Sequence, residues 1–144
     1  MKDIKVMVVH LVPVYYHIPV YRELNARFGK NFLVVYSNLG QAKGIYEKTY
    51  NRVIHYGESM LEGYNYVCLN LPDETFRARL TKDKRAELKK IIQEFKPSVM
   101  LVNFLYSDFI QRAVKFAKNI GCKIIFHSSP TDLGERNWVK KIGR

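Results

Sequence analysis

Four histidines, a tandem pair of tyrosines and a basic run are the side chains of this sequence best suited to chemistry. His17 lies in the glycine-free segment Leu11 to Ile18 (LVPVYYHI), and an imidazole there can contact a substrate or, where configuration is inverted, take a proton from an attacking hydroxyl. A merely solvated loop histidine is the other reading. His127 closes the apolar run Cys122 to His127 (CKIIFH), where a neutral ring can bind a hydroxyl or steady charge on a leaving phosphate. The alternative is a strand-end histidine bonded to backbone. His10 ends an apolar run and reads as a satisfied core residue, and His55 has no chemical neighbour to recommend it. Tyr15 and Tyr16, beside Pro13, offer an apolar face plus a hydroxyl, suited to stacking on a sugar ring, gripping a lipid, or packing the loop on the next helix. Asn103 and Tyr106 can bind hydroxyls or serve turn and cap roles. The stretch Arg77 to Lys96 carries eight basic and three acidic residues, with Arg77, Arg79, Lys82, Arg85 and Lys89 as candidate anion or membrane contacts. A solvated helix face is the preferred reading of such a run, because its apolar stripe is needed by a sheet.

These residues need a frame, and the pattern predicts an α/β domain with a doubly wound, Rossmann-like parallel sheet. Ile4 to His10, Asn31 to Ser37, Tyr64 to Leu69, Ser98 to Asn103 and Cys122 to His127 read as the five main strands, with Val53 to Tyr56 a lesser apolar run after the long polar segment Asn38 to Arg52. Between them, Pro19 starts a helix with Val20, Tyr21, Leu24 and Phe28 on one face, stopped by Gly29. Thr81 caps a second, with Leu88, Ile91, Ile92 and Phe95 inward and Pro97 beyond its end. Ser107 or Asp108 caps a third, with Phe109, Ile110, Ala113, Val114 and Ala117 inward and Gly121 near its end. Right-handed crossovers favour the order 3-2-1-4-5. Ligands of such sheets bind beyond the strands' carboxyl ends, which singles out Leu11 to Ile18, Phe104 to Asp108 and Ser128 to Leu133.

Bulk properties narrow the classes. A 144-residue chain with 47% apolar residues is expected to fold as a single domain, and its two cysteines, both in apolar runs, are expected as buried free thiols. With no signal-peptide pattern and no run of ~20 apolar residues, a cytoplasmic location is expected, with the inner face of the membrane as the alternative within it. A net charge of +11 favours phosphate-bearing or anionic partners without choosing among them. The sequence lacks G-x-G-x-x-G, a Walker P-loop, a G-x-S-x-G elbow, zinc-spaced Cys/His sets and the acidic loop of a receiver domain. Nucleic acid is the least supported partner: no RNP, KH or helix-turn-helix signature accompanies the charge.

Three stretches carry a family resemblance: Lys5 to Phe28 (KVMVVHLVPVYYHIPVYRELNARF), Val53 to Leu71 (VIHYGESMLEGYNYVCLNL), and the pair FKPSVMLVNF and GCKIIFHSSP. In this order and spacing they resemble the N-terminal, acceptor-side domains of family 4 glycosyltransferases, which have the two-domain GT-B architecture. Tyr56 stands where a Trp is usual, Ser98 where an Asp is usual, and Ser128 follows His127 where an Asp is usual. The first loop has no Gly-Gly pair to approach a donor phosphate. The resemblance implies transfer of a sugar from a nucleotide-diphosphate sugar to a glycan, polysaccharide or lipid-linked acceptor, with retention of configuration. It implies His127 near the transferred sugar, Ser128 beside it, and no metal or resident cofactor. The donor is a substrate. It further implies a C-terminal donor-binding domain, so this chain alone is expected to be inactive without that domain or a partner subunit. The competing expectation is a non-catalytic module that recruits an acceptor or membrane surface, or a subunit of a split enzyme.

Overall fold

The computed structural model describes residues 4–40, 45–47, 52–54, 58–72, 79–103 and 107–127. In chain order these hold β1 (Val6–His10), α1 (Ile18–Phe28), β2 (Phe32–Tyr36), β3 (Ile45–Glu47), β4 (Arg52–Ile54), β5 (Tyr66–Cys68), α2 (Lys82–Phe95), β6 (Val99–Val102), α3 (Asp108–Asn119) and β7 (Lys123–Phe126). Strands β5, β2, β1, β6 and β7 form one all-parallel sheet in that order, which is the expected 3-2-1-4-5 arrangement of the main strands. The near-continuous apolar run of β1 suits its central position: Val6, Met7, Val8 and Val9 are all buried. The polar segment before Arg52 was not expected to hold a strand, yet β3 pairs there antiparallel with β4. Three residues per strand give too little alternation for a period to register.

Helix α1 opens with Pro19 in its first turn and closes at Gly29, whose φ of 55° is open to glycine at little steric cost. It spends Ile18 and Tyr21 on the core, but Val20 departs from the expected face and stands 55% exposed. Adjacent helical residues point about 100° apart, so Val20 and Tyr21 cannot share one line of contact. In α2, Thr81 Oγ1 accepts from the Lys84 amide at 3.2 Å, and Lys96, held before Pro97, caps the end in the left-handed region at φ 55°. Its Leu88 and Ile92 are fully buried. At the start of α3, Ser107 occupies the cap position without a side-chain cap bond. Asp108 instead accepts from the Leu80 amide at 2.8 Å, fastening the start of α3 to the chain entering α2.

The sheet's two faces carry separate cores. On one, α1 packs over Val6, Val8, Phe32 and Val34, joined by Tyr36, Met60 and Tyr64. On the other, α2 and α3 close over Met7, Val9, Met100 and Val102, with Phe109 and Ala113 in contact. The tyrosines of the first core form a directional chain. Tyr64 Oη donates to the Met60 carbonyl, so Tyr36 Oη, 2.9 Å away, donates to Tyr64. Tyr64→Phe strands a buried hydroxyl and is expected to cost about 1–3 kcal/mol, whereas Tyr36→Phe leaves the outer bond intact and costs about 1 kcal/mol. Urea unfolding of the two variants measures the asymmetry; equal losses reject the proposed direction of donation.

The same burial pushes the Tyr21, Tyr36 and Tyr64 hydroxyls above the ordinary tyrosine value. A folded value above the unfolded one of ~10 gives stability that is complete below that pH and lost as the pH rises through it. The unfolding midpoint is therefore expected to fall progressively above pH ~10, and Tyr36→Phe to lessen the fall.

Candidate functional site

The site follows from strand alternation. Val8 pairs in register with Leu101, and Leu101 with Ile125, so these three make one row across β1, β6 and β7. Two residues on, His10, Asn103 and His127 fall on the same face, because side chains repeat with a period of two. An aliphatic row thus gives way to a polar row at the carboxyl edge of the sheet. The His127 amide donates to the Val102 carbonyl at 2.8 Å, which extends the ladder to this polar row while the residue remains exposed.

The fourth polar group arrives from the other side. After β1 the chain makes a short 3-10 turn over Tyr15–His17, closed by the His17 amide donating to the Val14 carbonyl at 2.9 Å. This turn sets the His17 ring edge-on to His10, with ring centres 5.3 Å apart. Tyr16 packs edge-on against His17 at 4.5 Å. Helix α1 then supplies Val20, Tyr21 and Leu24 as a side wall, leaving a cavity of about 240 Å³ bounded by the two rows and the helix. It lies toward the carboxyl ends of the neighbouring strands β1 and β6, whose following helices α1 and α3 pack on opposite faces, the switch point at which ligands of such sheets bind.

His10 and His17 are held toward the neutral form. His10 Nδ1 accepts a long bond, 3.4 Å, from the Val12 amide, leaving the neutral ring's proton on Nε2. Burial, and then the neighbouring His17, press the His10 pKa down to about 4. Burial and then His127 lower that of His17 as well. No Lys, Arg, Asp or Glu lines the cavity among the described residues. His17 Nδ1 and Asn103 Oδ1 are buried without a hydrogen-bond partner among the described residues. Buried polar atoms are normally paired, so both leave hydrogen-bonding capacity unspent on residues that line the cavity.

Of the residues expected to act together, the structure brings His17, His127 and Asn103 to one cavity. Tyr15 and Tyr16 stand beside it, 64% and 63% exposed, with their rings edge-on to each other at 5.5 Å. That exposure rules out close packing of the pair into the core. Tyr106, Ser128, Arg77 and His55 lie outside the described residues. Arg79, Lys82 and Lys89 are exposed and Arg85 half-buried, and α2 belongs to the face away from the cavity. Lys84 pairs with Glu87 at 3.2 Å, consistent with a solvated face. Cys68 and Cys122 are free thiols, but only Cys122 is fully buried, Cys68 being half-buried beside the Ser37 carbonyl.

His10 was expected to be a satisfied core residue. Its Nδ1 is indeed engaged, yet the ring also lines the cavity. The available signal was parity: His10 is two residues after Val8, as Asn103 follows Leu101 and His127 follows Ile125. Among the described residues no group of three or more His, Cys, Asp or Glu is placed to hold a metal ion, and no helix is long and apolar enough to cross a membrane. Comparison of the chain with protein-family models, curated proteins and solved structures returns no match.

Proposed function

We propose that this chain is the acceptor-side half of a sugar transferase, in which the cavity holds the acceptor while a nucleotide-diphosphate sugar, bound mainly by a further domain or partner chain, donates its glycosyl group. The observation that carries the reading is the gathering of His10, His17, Asn103 and His127 around one cavity, with His17 Nδ1 and Asn103 Oδ1 buried and without a hydrogen-bond partner among the described residues. A sugar hydroxyl both donates and accepts, so it can satisfy an amide oxygen and an imidazole nitrogen together. His17, kept unprotonated at neutral pH, can take the proton of an attacking hydroxyl. His127, exposed at the rim, is placed to bind a hydroxyl of either sugar or to meet charge on the leaving diphosphate. Exposed Tyr15 and Tyr16 offer ring faces for stacking a glycan at the same mouth. The resemblance in motif order to family 4 glycosyltransferases supports the donor class.

The test is release of nucleoside diphosphate from a panel of nucleotide-diphosphate sugars by the protein as its source produces it, with simple glycosides as acceptors. Turnover is expected with at least one donor. His127→Ala is expected to lower kcat/KM about tenfold, the worth of one well-made hydrogen bond. Absence of turnover with every donor, or turnover indifferent to both His127→Ala and His17→Ala, rejects the reading.

A further inference from the structure

The cavity is two-toned, and a sugar uses only one of its tones. Beyond the polar row lie Val8, Leu101 and Ile125, faced by Val20 and Leu24 of α1, with no polar side chain of β1, β6 or β7 level with them. Ile125 and Val20 are 50% and 55% exposed, so this aliphatic track stays open to solvent and is not spent on the core. Val20 and Leu24 also lead into a second depression along α1, lined by Pro19 and Phe28 and by the paired Glu23 and Arg27. Parallel sheets ordinarily have both faces covered, yet on this side Leu101 of β6 is only partly buried and none of the described elements covers Ile125 of β7.

We propose that the site takes an amphiphile, an alkyl or isoprenoid chain bearing a neutral sugar head, with the chain along Val8, Leu101 and Ile125 and the head at His10, Asn103 and His127. This deepens the reading of the cavity as an acceptor site and rests on it. The neutral head follows from the lining. His10 and His17 sit against each other and the apolar walls, His10 is held by the Val12 amide, and the cavity lining supplies no cationic Lys or Arg among the described residues to neutralise a phosphate. The direction of the chain follows from the register, because the aliphatic row lies wholly on the amino-terminal side of the polar one.

Paired glycosides isolate the chain from the head. Methyl and octyl glycosides of glucose, galactose and mannose, kept below the micelle concentration of the octyl forms, are titrated calorimetrically into the full protein, with octyl phosphate as the anionic probe. Burying three or four methylenes is worth roughly a hundredfold in affinity, so the octyl form of the preferred sugar is expected to bind about that much more tightly than its methyl form. Ile125→Asp and, independently, Val20→Asp are expected to bring that ratio close to one, each checked for an unchanged far-ultraviolet spectrum. Ile120→Asp, a surface change at the end of α3, is expected to leave the ratio intact.

A ratio near one in a wild-type protein that still turns over its donors removes the chain subsite and leaves the acceptor reading standing. Octyl phosphate binding more tightly than the octyl glycosides overturns the neutral head. Concentration-dependent dimerisation abolished by Ile125→Asp, together with a ratio near one, assigns the track to a second copy of the chain and overturns the proposal. A hundredfold ratio in a protein that turns over no donor supports the subsite and defeats the transfer reading instead.

Discussion

Truncating Phe109 to Ala is expected to lower the free energy of unfolding by about 3–5 kcal/mol. The ring sits in the first turn of α3, is 1% exposed, and packs in the core shared with Met100, Val102 and Ile110. Its removal forfeits the transfer energy of the ring and leaves a cavity that β6 and α3 cannot close, because backbone bonds fix both. A net stability of 5–15 kcal/mol is typical of a folded domain, so such a loss approaches the whole margin. Ile125→Ala makes the contrast. That side chain is half exposed on the other face of the sheet, and its loss is expected to stay within about 0.5 kcal/mol. Chemical denaturation of both proteins tests the pair. Comparable losses would mean that Ile125 is covered in solution, which would also bear on the open aliphatic track.

Acidification is expected to destabilise the protein through His10. The unfolded chain titrates this histidine at ~6.5, whereas the folded chain holds it down to about 4, chiefly by burial and secondarily through His17. When the folded value lies below the unfolded one, the unfolded state binds more protons in the interval between them. Stability is therefore complete above pH ~6.5 and falls as the pH drops toward 4. The shift corresponds to a loss on the order of 3 kcal/mol, to which the lowered pKa of His17 adds in the same direction. His10→Asn, which keeps a side-chain acceptor for the Val12 amide without a titrating ring, is expected to flatten most of this acid limb. An unchanged limb in that variant would move the titration to another group.

The strand order and the gathering of His17, Asn103 and His127 were legible before any coordinates. Alternating apolar runs and helical segments restrict the crossovers, and the crossover rule then brings the first loop beside the ends of the fourth and fifth main strands. The hairpin of β3 and β4 was not legible, since three-residue strands fall below any detectable period. Val20 was misplaced because residue type says nothing of which side of a helix edge it occupies. His10 was half read. An apolar run ending in histidine looks like core, and the parity that puts it in one row with Asn103 and His127 gains its meaning only once the strands are in register. The unpaired atoms of His17 and Asn103 depend on the particular rotamers that the turn and strand impose, which no spacing encodes.

The position of β1 in the middle of the sheet also bears on the chain's birth. One edge of β1 is met early by β2, but the other waits for β6, with Lys5 reaching Ser98 across 93 positions. At about 5–20 residues per second of synthesis, that edge stays bare for roughly 5–20 s. The exposed stretch, Val-Met-Val-Val, is uncharged, rich in β-branched residues and free of proline, the composition that stacks into intermolecular strands. Yield in cells is thus expected to depend on how long a nascent β1 escapes other copies of itself. Slower translation between β2 and β6 should lower soluble yield, and a holdase chaperone should restore it.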